Sequence, residues 1–177
     1  GITGILEDGS VFEKAGVNTS AVEGPLPDRA AQALGVEETQ FFATGISVVI
    51  HPRSPYVPSV HANFRYFALG DDLFNPDDQW FGGGADMTPH YPYLEDVKHF
   101  HETWKEVCDD HDVADYDAFK RACDEYFYLD HREEARGVGG IFFDYVREAP
   151  EPTFYFVRQA GRAFLRSYLP VVERRRV

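Results

Sequence analysis

Two stretches, Thr44–His51 (TGISVVIH) and Pro58–Ala68 (PSVHANFRYFA), stand on either side of the turn-forming residues Pro52, Arg53, Ser54 and Pro55. Both alternate around β-branched and aromatic residues, the period-two pattern of strands, and the short break between them predicts two neighbouring strands. Side chains alternate faces along a strand, so His61, Asn63 and Arg65 share one side while Val60, Ala62, Phe64 and Tyr66 take the other. In the companion strand Ser47, Val49 and His51 lie opposite Ile46, Val48 and Ile50. Either the polar side faces water, as in many half-buried strands, or the two strands form the polar floor of a cleft.

The pattern extends outward from this pair. Ser10 to Asn18 reads as a strand, and Pro25 to Glu38 as a loop leading into a short helix. A strand around Gln79 to Phe81 runs into Gly82, Gly83 and Gly84, where the backbone is expected to bend or to approach a ligand closely. No helix with a Lys follows the glycines, which excludes a phosphate-binding loop. Val97, Phe100, Trp104 and Cys108 fall at helical spacing from Pro92 to about Asp110. Tyr116, Phe119, Cys123, Tyr126 and Phe127 mark a second helix closing near Gly137, followed by a short strand, Gly140 to Tyr145, and a third helix from Pro152 to Arg175. The expected class is α+β, a mostly antiparallel sheet flanked by helices.

At 177 residues, 44% of them hydrophobic, the chain has the material for one domain with a substantial core. Its 15% aromatic content suits either an aromatic core or a pocket for a large flat ligand. No apolar run reaches the roughly 18 residues of a membrane span, and the chain opens on no basic, apolar leader, so the expectation is a cytoplasmic protein. Cys108 and Cys123 have no metal-type spacing and read as free thiols in a reducing compartment. The net charge of −13 argues against nucleic acid and against anionic membranes as partners. Lysine supplies only 4 of 17 basic residues, an acidic, Lys-poor balance found in proteins of high-salt cytoplasm and in ordinary acidic proteins alike. Gly1 in place of Met and the closing run Arg174, Arg175 and Arg176 suggest that both ends are cuts.

Histidines recur at inward positions. His101 lies on the apolar stripe between Val97 and Trp104, whereas His99 is turned roughly 200° from Val97 and is expected to face water. His131 continues the series Cys123, Phe127 at steps of four. Four inward histidines from four elements, His51, His61, His101 and His131, are either satisfied core residues or a site, and imidazole suits zinc and transition metals. The row His61, Asn63, Arg65 points to recognition of an anion, with Arg65 able to clamp a carboxylate in a fork. Asp86, just after the glycines, is placed to accept N–H hydrogen bonds or a proton, or simply to form a turn.

Val11–Asn18 (VFEKAGVN), Thr44–Asn63 (TGISVVIHPRSPYVPSVHAN) with Arg65, Trp80–Pro89 (WFGGGADMTP), Cys123–Gly140 (CDEYFYLDHREEARGVGG) and Ile141–Asp144 (IFFD) together resemble the oxygen-dependent coproporphyrinogen oxidase family over almost the whole chain. The resemblance implies a homodimer on an antiparallel sheet flanked by helices. It implies decarboxylation of two propionates of coproporphyrinogen III to the vinyls of protoporphyrinogen IX, in haem biosynthesis. Dioxygen is then the co-substrate, hydrogen peroxide a product, and no organic redox cofactor takes part. On matching positions it makes Ser47, Asn63, Phe64 and Arg65 substrate contacts, His61 a proton donor and Asp86 catalytic, and Arg65, as the carboxylate clamp, is counted with His61 and Asp86 among the expected catalytic residues. It assigns His51, His61, His101 and His131 to a divalent metal, manganese or another. It also implies that residues 1–177 form a single domain lacking the family's C-terminal segment and its N-terminal start. The rival readings are a histidine-ligated metal-dependent oxygenase and a non-catalytic tetrapyrrole-binding protein.

Overall fold

The computed structural model describes residues 1–37, 39–72 and 76–176. Its centre is a six-stranded antiparallel sheet in the order β1-β2-β3-β4-β5-β8. The strands are β1 (Ile2–Glu7), β2 (Phe12–Pro25), β3 (Gln40–Pro52), β4 (Ser59–Leu69), β5 (Asp78–Thr88) and β8 (Gly139–Val146). A minor two-stranded ribbon pairs β6 (Tyr128–Leu129) with β7 (Glu134–Ala135). The helices are α1 (Asp28–Leu34), α2 (Leu94–Asp109), α3 (Tyr116–Tyr126) and α4 (Pro150–Arg175). The α+β class and the antiparallel sheet read from the sequence are those observed.

The β-branched run of β3 and the alternating residues of β4 pair in a register that places Ser47 opposite Asn63 and Val49 opposite His61. The apolar alternates of the sheet, Val60, Ala62 and Phe64 with Ala85, Met87, Ile141 and Phe143, form the core with Phe100 and Trp104 of α2 and Phe156, Ala160 and Phe164 of α4. Helices α2 and α4 therefore cover one face of the sheet, and the polar alternates line the other. The α4 helix is tied down at its C-terminal half, where the buried Tyr168 hydroxyl donates to the Pro58 carbonyl at 2.8 Å. Asp115 caps α3 by accepting from the Ala118 N–H.

Several expectations need correction. An edge strand, β1, precedes the first expected one, and β2 runs seven residues past Asn18. The triple glycine does not bend the chain, because β5 continues straight through it. A Cβ at Gly84 would lie 2.4 Å from the Ile141 carbonyl oxygen and one at Gly83 would lie 2.7 Å from that of Asn63, so these glycines serve close strand packing. The second long helix stops at Tyr126, well before Gly137, and gives way to the β6–β7 ribbon. Glu38, at the end of the expected loop, lies outside the described residues. No helix among the described residues is long and apolar enough to cross a membrane.

Candidate active site

Three rungs of the sheet build a trough on the face opposite α2 and α4. One rung aligns Val49, His61, Asp86 and Gly140, the next Ser47, Asn63, Gly84 and Phe142, and the third Gly45, Arg65 and Gly82. Because alternate residues of each strand point the same way, these rungs deliver His61, Asn63, Arg65 and Asp86 to one surface. They line a cavity of about 260 Å³ whose far wall is Tyr126, Phe127 and Phe142. A second cavity of about 330 Å³ shares Ser47, Asn63 and Arg65 and continues toward Trp80. The aromatic wall is itself packed, with Tyr126 stacked on Phe142 at 4.2 Å between ring centres.

Asp86 is the electrostatic centre of this trough, only 3% exposed. A carboxylate so enclosed is costly unless paired. Arg136 Nη2 donates to its Oδ2 at 2.6 Å, and His61 Nδ1 lies 3.4 Å from the same oxygen. With Nδ1–H directed at the carboxylate, His61 keeps Nε2 free of hydrogen bonds among the described residues. Asp86 Oδ1 likewise accepts no hydrogen bond among them, and Asp86 is one of the residues that line the cavity.

Arg65 is engaged rather than free. Its Nη2 donates to Asp144 Oδ2 at 2.6 Å and its Nη1 to Asn63 Oδ1 at 3.2 Å, while Asn63 Nδ2 donates to the Ile46 carbonyl. Gly82 makes room for this pair, since a Cβ there would stand 2.4 Å from Asp144 Oδ1 and 2.8 Å from Arg65 Nε. A guanidinium has five N–H donors, so an incoming carboxylate has further donors to use beside Asp144.

Arg136 and Asp144 were missed by sequence reasoning. Both sit in quoted stretches, but no spacing rule joins residues 50 and 79 positions apart. The available signal was a requirement, not a pattern: a buried aspartate needs a cation.

Other expected site residues fall elsewhere. Phe64 points away from the trough into the core, 6% exposed, so only its backbone is on the cleft strand. This follows from the same alternation that gathers Asn63 and Arg65. His51 is exposed and stands edge-on to His61 with ring centres 6.0 Å apart. His101 does face inward, but both ring nitrogens are used: Nε2 donates to the Val138 carbonyl at 2.9 Å and Nδ1 is 2.7 Å from the Tyr116 hydroxyl. Burial holds this imidazole below its ordinary pKa, with the Val138 hydrogen bond opposing, and pushes the Tyr116 phenol up to about 12. His131 is exposed in the turn between β6 and β7, because α3 ends before the series of four-residue steps reaches it. His99, expected to face water, is half-buried and donates from Nε2 to the Arg166 carbonyl of α4 at 3.0 Å. Among the described residues no three His, Cys, Asp or Glu side chains gather to hold an ion. The four histidines thus do not fit one metal site within this chain, and no step below passes through a metal.

The fold and trough define an α+β protein whose cleft offers a buried carboxylate, a histidine and an arginine to an anionic, hydrogen-bonding ligand. Comparison with known proteins makes the class particular: the profile of coproporphyrinogen III oxidase matches residues 1–177, and the chain belongs to that family. It is 49% identical over 175 residues to the oxygen-dependent coproporphyrinogen-III oxidase of Francisella philomiragia, covering 97% of this chain and 56% of that protein. Against the oxygen-dependent coproporphyrinogen-III oxidase of Drosophila melanogaster it is 47% identical over 184 residues, covering 98% of this chain and 47% of that protein. The chain spans about half the length of the curated relatives it matches.

Proposed function

We propose that this chain carries the catalytic cleft of an oxygen-dependent coproporphyrinogen III oxidase. The observation that carries the reading is the buried Asp86, held at one oxygen by Arg136 and His61, in a trough that also presents Arg65 and an aromatic wall. A porphyrinogen carries pyrrole N–H donors and propionates, and the trough supplies an acceptor for the first and a guanidinium for the second.

Each reacting arm, CH2CH2CO2⁻, becomes CH=CH2 with loss of CO2, one proton and two electrons. One dioxygen takes the two electrons and two protons as hydrogen peroxide, so each arm consumes one net proton. Asp86 Oδ1 accepts the pyrrole N–H and draws charge onto the ring, activating it toward dioxygen. His61, held at Nδ1 by Asp86, takes up a solvent proton at Nε2 and passes it on as the net proton that forms hydrogen peroxide. Arg65 fixes a propionate beside Asp144, and Ser47 and Asn63 add hydrogen bonds along the neighbouring rung. The chemistry assigned here calls for no organic redox cofactor.

The reading extends to a homodimer, as the family resemblance implies, and to a reducing, cytoplasmic setting, in keeping with two buried free thiols. Product analysis of the full-length protein with coproporphyrinogen III, in air and under anaerobiosis, tests it. Release of two CO2 and formation of the divinyl product in air alone is expected. Tight binding without CO2 release would replace the reading with that of a tetrapyrrole carrier.

A further inference from the structure

A charged group beside the trough reaches its buried carboxylate. Arg136 is not among the residues lining the cavity, yet its Nη2 donates at 2.6 Å to Asp86 Oδ2, the oxygen that His61 also approaches. Its guanidinium carbon also lies 3.7 Å from the ring centre of Phe127, the residue that walls the cavity on the same side. Its Nε is enclosed and has no partner among the described residues, so the side chain is positioned by the carboxylate and the ring rather than by a full set of hydrogen bonds. Arg136 follows directly on β7, and the β6–β7 ribbon that replaces the expected helix brings it back under Phe127. One planar cation thus touches both the acceptor and the aromatic wall of the cleft.

We infer that Arg136 is the positioning residue of the cleft, holding Asp86 by one oxygen and Phe127 by its ring face, so that Oδ1 and the aromatic wall meet the substrate in a set relation. This inference rests on the oxidase reading above. A guanidinium suits the task better than an ammonium, because its plane stacks on a ring while its edge donates to a carboxylate. Removing it leaves Asp86 enclosed with only the long contact from His61. The carboxylate then loses its orientation more than the substrate loses its binding surface.

The test uses the full-length enzyme with three variants, Arg136→Ala, Arg136→Lys and Asp86→Ala, each checked for folding by circular dichroism. For Arg136→Ala, kcat is expected to fall about 10- to 100-fold, the scale of one lost charge-assisted hydrogen bond, with KM changing less than about 3-fold. Added guanidinium ion should restore part of the Arg136→Ala rate and none of the Asp86→Ala rate. Arg136→Lys, which keeps the charge without the planar fork, should stay below wild type and respond less to guanidinium. If Arg136→Ala does not fold, a wild-type kcat in Arg136→Lys overturns the inference by itself. A folded Arg136→Ala with wild-type kcat, or a loss confined to KM, also overturns it, as does a rate loss that guanidinium leaves untouched. An inactive wild type would instead overturn the oxidase reading, and this inference with it.

Discussion

At the residue scale, charge pairing decides which polar groups are ready for chemistry. Arg65 is the clearest case, since it is shared between Asn63, Asp144 and the cleft. Arg65→Ala should lower turnover at least ~10-fold, because losing a charged hydrogen-bond partner costs about 1.5–3 kcal/mol; steady-state kinetics of the full-length enzyme read this out. Gly82→Ala tests the same pair without removing a functional group. Its Cβ would enter the space of Asp144 Oδ1 and Arg65 Nε, whereas a Cβ at Gly16 meets nothing within 4 Å. Gly82→Ala should therefore cost about 10-fold in kcat/KM through misplacement of the guanidinium, and Gly16→Ala should behave as wild type.

The two thiols show the opposite condition. Burial pushes Cys108 and Cys123 up to about 12 from an ordinary value of 9.0. A raised folded pKa means that the folded state keeps protons which the unfolded state releases. The associated stability is fully present below about 9 and is lost as pH climbs toward 12. Neither thiol should react with a thiol reagent at pH 8 in the native protein, while two should react after unfolding; labelling followed by mass spectrometry measures both.

At the element scale, α4 is the brace of the sheet. Its Phe156, Ala160 and Phe164 lie against the apolar alternates of the strands, and Tyr168 reaches the Pro58 carbonyl between β3 and β4. Tyr168→Phe keeps the packing but leaves that buried carbonyl unsatisfied. A destabilisation of about 1–3 kcal/mol is expected, read from denaturant unfolding with an unchanged slope. The start of α2 is tied to the end of the same helix, because the buried Asp96 accepts from Arg174 Nε at 2.8 Å and Arg175 Nε at 2.7 Å. Asp96 is also in the first turn of α2, where a negative charge complements the helix dipole.

At the scale of the whole molecule, α2 and α4 cover one face of the sheet, while the other is covered only in part, by α1 at the Trp80 end and by the end of α3 at the trough. Ile5 (67% exposed) and Val22 (51%) stand on that other side, and Leu165 (65%) stands on the outer side of α4. Apolar surface left wet forfeits ~25 cal/mol per Å² of burial, and contiguous patches invite association. The 177-residue chain made alone should therefore bind an apolar reporter dye, sediment as mixed species and turn over no substrate. A dye-silent, active monomer in sedimentation analysis would show that the catalytic unit is smaller than the family resemblance implies.

Alternation in TGISVVIH and PSVHANFRYFA was enough to establish the two central strands and the side shared by His61, Asn63 and Arg65, because a strand's period of two is a local property of its backbone, while the register of the pair set Ser47 beside Asn63. Helical spacing likewise put His101 inward, but it could not say what lay inside. Whether an inward histidine meets a ligand or a Tyr116 hydroxyl and a Val138 carbonyl depends on which distant elements pack there. The same holds for the end of α3, which released His131 to the surface, and for the straight passage of β5 through its glycines. The sequence by itself therefore determined the two central strands, the α+β class and the polar side of each of those strands. Only the tertiary structure decided that the buried Asp86 belongs with Arg136, and the part-exposed Arg65 with Asp144, because a charge pairs with whatever opposite charge the fold brings within hydrogen-bond reach, at any separation along the chain.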